Sequence, residues 1–203
     1  MSQPTASSWS DFYRGGQTLQ AFFASLHHHE PLIREVFASE PKSVLEAGSG
    51  PAIMSSFLAM AGMDAIAVDN DAGVLQVARE SASRWPVQPE FVEHDIFHLD
   101  QLGREVDVVF SQGVLEHFQD DEIRELTRQS LAIAPRFVFS VPSKWYGHKD
   151  FGNERLFLAD QWAEILEGTG KVTTSAYFDA RRRHTLARKK PLMVLGVVER
   201  DGR

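Results

Sequence analysis

The chain has 203 residues, of which 43% are hydrophobic and 24% charged, a size and balance that suit one globular α/β domain with a full core. It contains no cysteine, which excludes a disulfide framework, a thiolate metal site and a cysteine nucleophile. The net charge of −7 describes an acidic body and argues against general nucleic-acid binding, although six basic residues crowd the segment from Arg181 to Lys190.

The amino-terminal stretch Met1-Ser2-Gln3-Pro4-Thr5 is polar and lacks the apolar run of a signal peptide. No apolar run is long enough to span a bilayer, so a soluble, cytoplasmic protein is expected. Residues 1 to about 18 read as an irregular arm bearing Trp9, Phe12 and Tyr13. Leu19 to Phe37 has helical periodicity interrupted by Pro31. Pro41-Lys42 punctuates and the first strand follows it, and Ile53 to Ala61 reads as a helix stopped by Gly62. Asp64 to Asp69 is a second strand, and Asp71 caps a helix from Ala72 to about Arg84. Glu90 to Glu93 and Glu105 to Ser111 are the third and fourth strands. A helix over Asp121 to Ala134 carries an apolar stripe of Ile123, Leu126, Leu131 and Ala134, and Arg136 to Val141 is a fifth strand. Asp160 is expected to cap a helix through Leu166, and two strands, Lys171 to Phe178 and Leu192 to Glu199, end the chain. Strand-helix alternation implies a mostly parallel sheet with helices on both faces. The last two strands have no helix between them and are expected as an antiparallel hairpin at an edge. The expectation is a single domain over 1–203: an arm and helix (1–40) able to act as a lid, and a core (41–203).

Val44-Leu45-Glu46-Ala47-Gly48-Ser49-Gly50-Pro51 runs from a strand through an acidic residue into a glycine turn and a helix start. Small residues there let a ligand approach the backbone closely. Asp69 closes the second strand, Asp95 follows the third, and Ser111-Gln112 end the fourth. In an open α/β sheet these carboxyl ends converge on the ligand crevice. Asp69 lies 19 positions after Gly50, near the offset of a ribose-binding carboxylate. A dinucleotide fingerprint requires a third Gly or Ala, but that position is Ile53; Pro51 removes an amide and Glu46 would repel phosphate. A nucleoside cofactor with a positive centre and an ammonium group fits better than a nicotinamide dinucleotide.

On these residues the chain resembles the class I S-adenosylmethionine-dependent methyltransferases, over roughly Ser43 to Glu199. Val44 to Ala52 resembles the family's first motif, Ala67-Val68-Asp69-Asn70 the second, His94-Asp95-Ile96 the third and Val106 to His117 the fourth. The resemblance implies a Rossmann-like three-layer sandwich around a mostly parallel seven-stranded sheet with an antiparallel C-terminal hairpin. It implies S-adenosyl-L-methionine as cofactor and S-adenosyl-L-homocysteine as product. Glu46, Gly48 and Gly50 would border the methionine part, and Asp69 would hold the ribose. Asp95 would accept from the adenine amino group, with Asn70 and Ile96 flanking the ring. Ser111 and Gln112 would lie near the methionine backbone or sulfonium, and Tyr13 would close over the cofactor from the arm.

Methyl transfer from a sulfonium is an in-line displacement that needs alignment and a desolvated site, and a general base only when the acceptor loses a proton. His117, just past the fourth strand, is the first base candidate. The loop Ser143 to Phe151 offers His148 and Tyr146 on the expected acceptor side, and Gly152-Asn153-Glu154-Arg155 reads as a turn held by polar contacts. Glu116-His117 also resembles a divalent-metal variant of the family, seen in ubiquinone-pathway O-methyltransferases and small-RNA 2′-O-methyltransferases. That variant has a further Glu three positions earlier; Gly113 stands there, so no metal is expected. His27, His28 and His29 are adjacent on a helix and should point apart, leaving one at most to face a pocket.

These residues lead to methyl transfer onto a small-molecule acceptor, with oxygen or nitrogen favoured, in a monomer or homodimer. The alternatives are a non-catalytic S-adenosylmethionine-binding protein and a protein or RNA methyltransferase docking through the basic loop 181–190.

Overall fold

A computed structural model describes residues 8–13, 18–147, 149, 151–177 and 190–202. Among the described residues the strands and α-helices follow in chain order: α1 (Trp9–Tyr13), α2 (Leu19–His28), α3 (Glu30–Phe37), β1 (Ser43–Ala47), α4 (Ile53–Met60), β2 (Asp64–Asp69), α5 (Ala72–Ala82) and β3 (Glu90–Glu93) come first. They are followed by β4 (Val108–Gln112), α6 (Asp120–Ile133), β5 (Arg136–Pro142), α7 (Ala159–Ile165), β6 (Lys171–Tyr177) and β7 (Met193–Glu199).

The strands form one seven-stranded sheet in the order β3-β2-β1-β4-β5-β7-β6. β1 to β5 run parallel, and β7 inserts antiparallel between β5 and the edge strand β6. The expected hairpin is present, with its second strand on the inside. Parallel strands covered on both faces read as near-continuous apolar runs, which is why β1, β4 and β5 were legible. Successive residues point to opposite faces. Leu45, Val109, Phe137 and Phe139 face α6 and α7 through Ile123, Leu126 and Trp162. Val44, Val108, Phe110 and Val138 face α3 and α4 through Leu32, Val36 and Leu58. The result is the expected three-layer sandwich.

Several boundaries differ from expectation for local reasons. The Leu19–Phe37 helix is two helices, because Pro31 occupies the first turn of α3 and His29 at the junction has non-helical φ −100°. The arm is not wholly irregular, since Trp9–Tyr13 forms one helical turn. β4 starts at Val108, after Asp107 turns back to accept from the backbone N–H groups of Lys42 (2.7 Å) and Ser43 (2.9 Å). A 3-10 segment over Ile96–Leu102, capped by Asp95, replaces the connection left unassigned after the third strand. Asp160 does not cap α7; Leu158 is the cap, and its N–H donates to Gln161 Oε1 at 3.0 Å.

Candidate active site

The strand order reverses between β1 and β4, so a crevice opens at their carboxyl ends. The glycine turn after β1 borders it. The N–H groups of Gly48 and Ser49 both donate to Val68 O at 2.9 Å, pinning the turn to β2. Gly48 has φ +71° and Gly50 φ +52°, a left-handed backbone that favours glycine. A Cβ on Gly48 would come within 2.8 Å of Val114. The turn is thus shaped both by backbone conformation and by close approach.

Glu46 supports this turn from beneath. Its Oε2 accepts from the Ser55 N–H at 3.0 Å and from the Ser55 hydroxyl. Ala52, the N-cap of α4, has no capping side chain, so Glu46 satisfies a buried first-turn N–H that the helix itself leaves unpaired. Burial pushes its carboxyl from 4.5 up to about 7; the Ser55 hydrogen bonds oppose that shift and the Asp69 charge adds to it. Glu46 is not among the residues lining the crevice, and its Oε2 is turned to α4. Ser111 is likewise buried and outside the lining, and its hydroxyl has no partner among the described residues.

The other residues expected on the cofactor side do converge. Gly48, Gly50, Asp69, Asn70, Asp95 and Ile96 line one cavity of about 360 Å3, together with Gln112 and Tyr13, within the range of small-molecule sites. Asp69 accepts from Gly50 N–H through Oδ2 and from Asp71 N–H through Oδ1, both at 3.1 Å. Burial raises its pKa against these hydrogen bonds. Asp95 accepts from Phe97 N–H at 2.9 Å and pairs with His98 Nδ1 at 3.1 Å. A carboxylate has about four lone-pair sites, so both side chains keep capacity for a ligand.

A second cavity, also about 360 Å3, adjoins the first; Gln112, Gly113, His117, Trp9 and Tyr13 border both. His117 therefore stands at the junction. Its Nδ1 lies 2.8 Å from Asn153 Oδ1; an amide oxygen only accepts, so Nδ1 is the donor. Helix α1 lies over this junction. Trp9 meets His117 edge-on at 5.1 Å and packs on Phe151 at 3.8 Å between ring centroids. A Cβ on Gly50 would sit 3.0 Å from the Tyr13 hydroxyl, so Tyr13 covers the glycine turn.

Tyr146 lines the second cavity. His148 and the Arg181–Lys189 stretch lie outside the described residues. Of the three adjacent histidines, both His28 and His29 line this cavity, more than the helical-spacing argument allows. The helix breaks between them, and their rings meet at 4.4 Å. His29 Nδ1 is hydrogen-bonded to Tyr177 Oη (3.2 Å), which bonds Ser140 Oγ (2.6 Å). Two further residues were not singled out as site residues for this wall, Glu154 and, as an acceptor-side group, Glu116. Both are at most 4% exposed. The signal that could have found Glu154 was the polar turn after Phe151, where its Oε1 accepts from Phe151 N–H at 2.7 Å. Gly113 has φ +70°, which explains in backbone terms why a side chain is disfavoured where the metal-binding variant carries Glu. A larger cavity, about 650 Å3, lies at the amino ends of β1 and β5, and none of the expected site residues lines it.

Residues 44–133 match the methyltransferase-domain family, a span that contains the four motifs. Over that span the chain is similar to a methyltransferase domain of the class I S-adenosylmethionine-dependent kind. It is 32% identical over 124 residues to the ubiquinone biosynthesis O-methyltransferase of Erwinia tasmaniensis, covering 58% of this chain and 48% of that protein. The chain thus spans about half the length of this curated relative. Among solved structures, magnesium protoporphyrin IX methyltransferase from Synechocystis PCC 6803, with bound S-adenosylmethionine, superposes with a TM-score of 0.65 at 20% identity, over 94% of this chain and 89% of that one. The PH0226 protein of Pyrococcus horikoshii superposes with a TM-score of 0.73 at 14% identity, over 93% and 98%. The chain, with its mixed sheet and antiparallel C-terminal strands, shares its overall fold with these structures. Among the described residues no helix is long and apolar enough to cross a membrane.

Proposed function

We propose that this domain transfers a methyl group from S-adenosylmethionine to an oxygen or nitrogen of a small molecule. The observation that carries the reading is the convergence of Asp69, Asp95 and Gln112 on one cavity beside the glycine turn, joined at His117 to a second. The residues fit the cofactor: a glycine cradle that a side chain would fill, and two carboxylates with lone pairs to spare. The cofactor supplies an activated methyl; the chain supplies alignment and exclusion of water.

Asp69 accepts from the ribose hydroxyls, and Asp95 from the adenine amino group. Asn70 and Ile96 flank the ring, Gly48 and Gly50 border the methionine part, and Gln112 reaches towards the sulfonium. Glu46 acts from behind this layer by holding the turn, and Ser111 lies buried near the end of β4. Tyr13 closes over the turn, and Trp9 with Phe151 excludes water from the junction. Orientation of this kind is worth up to roughly 7–11 kcal/mol of the barrier. His117 Nε2 takes the proton of an acceptor that must lose one, with Asn153 fixing the tautomer. Tyr146 orients the acceptor, and His148 remains its partner candidate from the same loop. The similarity to an O-methyltransferase supports a small-molecule acceptor, and the enzyme of this proposal is soluble and cytoplasmic and works as a monomer or homodimer.

Calorimetric titration with S-adenosylhomocysteine tests this reading. Wild type should bind in the micromolar range, and Asp69→Ala should weaken binding at least 10-fold, about 1.4 kcal/mol. No binding by the folded wild type would overturn it.

A further inference from the structure

His117 is held by its ring and by its backbone, and both holds come from one loop. Asn153 Oδ1 accepts from its Nδ1 at 2.8 Å. Asn153 is exposed, so this bond competes with water and lasts only if something else keeps the loop in place. The loop runs between β5 and α7 and forms no strand or helix of its own among the described residues.

Arg155 supplies the restraint. Its backbone N–H donates to Glu116 O at 2.7 Å, one residue before His117. Its Nη1 donates to Phe118 O at 2.8 Å, one residue after. Its Nη2 pairs with Asp120, the first residue of α6. The guanidinium also lies over the Phe157 ring, 4.9 Å from the centroid, and Phe157 packs edge-on against the buried Trp162 of α7 at 5.8 Å. One residue thus ties down the backbone on both sides of His117, the start of α6 and, through Phe157, the packing under α7. Its side chain is only 22% exposed, so these charge-assisted bonds are partly shielded from water. A guanidinium fork reaches two acceptors while stacking on a ring, which a lysine ammonium does not.

From this bracket around one histidine, we infer that Arg155 is a positioning residue for methyl transfer. It sets the His117 ring by fixing both the turn that carries it and the loop whose Asn153 holds its Nδ1. The inference rests on the methyltransferase reading, in which His117 meets the acceptor at the junction of the two cavities. Arg155 is not among the residues lining either cavity, so it acts through His117 and not on the acceptor. While Nδ1–H is held, a neutral ring presents Nε2 as its acceptor. Once the bracket is lost, either nitrogen carries the proton and the ring turns. Misplacing a reacting group by about 1 Å can cost roughly 100-fold in rate.

The tautomer of His117 tests this on the full chain, with no acceptor needed. Nitrogen–proton correlation spectra of the imidazoles report which ring nitrogen carries the proton, and the signals lost in His117→Gln identify the ring. In wild type the neutral ring should be predominantly Nδ1–H. Arg155→Met keeps an apolar stem and removes the fork. The ratio of Nδ1–H to Nε2–H should then fall about five- to tenfold, the ratio that one hydrogen bond commands. Asn153→Ala should produce the same fall, and the double variant no more than either alone. Arg128→Ala, which breaks an exposed pair with Glu125 on α6, should leave the ratio unchanged. If Arg155→Met does not fold, Arg155→Lys takes its place, since it keeps the charge and loses the fork; the ratio should fall in the same direction. An unchanged ratio in the folded variant would overturn the inference and leave Arg155 a support of the fold alone. A predominantly Nε2–H ring in wild type would overturn it whatever the variants do. Calorimetry with S-adenosylhomocysteine separates the two readings. If wild type binds it and the ratio ignores Arg155, only the positioning role fails; if wild type does not bind it, the methyltransferase reading fails whatever the tautomer.

Discussion

Glu46 shows how one residue type serves two needs in conflict. As an acceptor for Ser55 it holds the start of α4 and the glycine turn above it. As a buried carboxyl beside Asp69 it resists ionisation, so its pKa rises from 4.5 to about 7. A folded-state pKa above the unfolded value means that the native state binds the extra proton between those limits. Stability from this group is fully present below about pH 4.5 and is lost as pH rises through about 7. Ionised and buried, it costs about 3 kcal/mol by the pKa difference. Glu46→Gln keeps an oxygen acceptor for Ser55 and cannot ionise. Urea unfolding at pH 5 and pH 8 should therefore show the variant gaining about 2–3 kcal/mol relative to wild type across that interval. An equal pH slope in both proteins would refute the assignment. The raised pKa of Asp69 acts in the same direction but is present in both proteins, so their difference isolates Glu46 and its coupling to Asp69.

At the scale of elements, the β5–β7 pair gives a sharp test of packing. Gly196 on β7 faces Phe139 on β5 in register, and a Cβ there would overlap the Phe139 ring. That ring is wedged between Phe137 and Trp162, with centroids 5.8 and 5.7 Å away, and is fully buried, so it has no free volume to enter. Gly196→Ala should lower unfolding free energy by about 1–3 kcal/mol, read as a lower thermal midpoint with the S-adenosylhomocysteine affinity of the folded protein retained. The strands around it were legible because burial on both faces makes them apolar runs, and the glycine turn, Asp69 and Asp95 were legible because they end such runs. Short elements were not. Trp9–Tyr13 and Ile96–Leu102 are too brief to show a period, and the corner at His29 appears only when Pro31 is read as the start of a new helix rather than a kink. Glu154 escaped because its place in the acceptor wall depends on the loop folding back to His117 through Asn153, a contact across 36 positions that no local pattern announces. Glu46 was placed by motif at the border of the methionine part; that its Oε2 accepts from Ser55 depends on α4 packing behind the turn, which no local pattern announces.

Across the whole molecule, the arm is what makes one site of two cavities. Helix α1 touches α5 on one side, where Ser10 lies against Gly73, and Phe151 of the loop after β5 on the other. These contacts span the switch point, and Trp9 and Tyr13 border both cavities. Yet none of the residues of α1 is buried, and Trp9 and Phe12 remain 36% and 40% exposed. Little of the stability of the sheet and its two helical layers depends on so exposed a turn, whereas closure of the site does. Loops and segments that close over ligands are drawn from this weakly held class. A chain beginning at Thr18, the N-cap of α2, should keep its unliganded thermal midpoint within about 2–4 °C, the shift expected from roughly 1 kcal/mol in a chain of this size. It should bind S-adenosylhomocysteine 10- to 100-fold more weakly, mainly through faster release, and lose more in turnover than in binding, because water enters the junction at His117. Stopped-flow dissociation and calorimetry on the two lengths of chain measure both effects. Unchanged release would mean that the turn rests on the site without closing it, and a large fall in the unliganded midpoint would mean that it belongs to the fold rather than to the catalytic cycle.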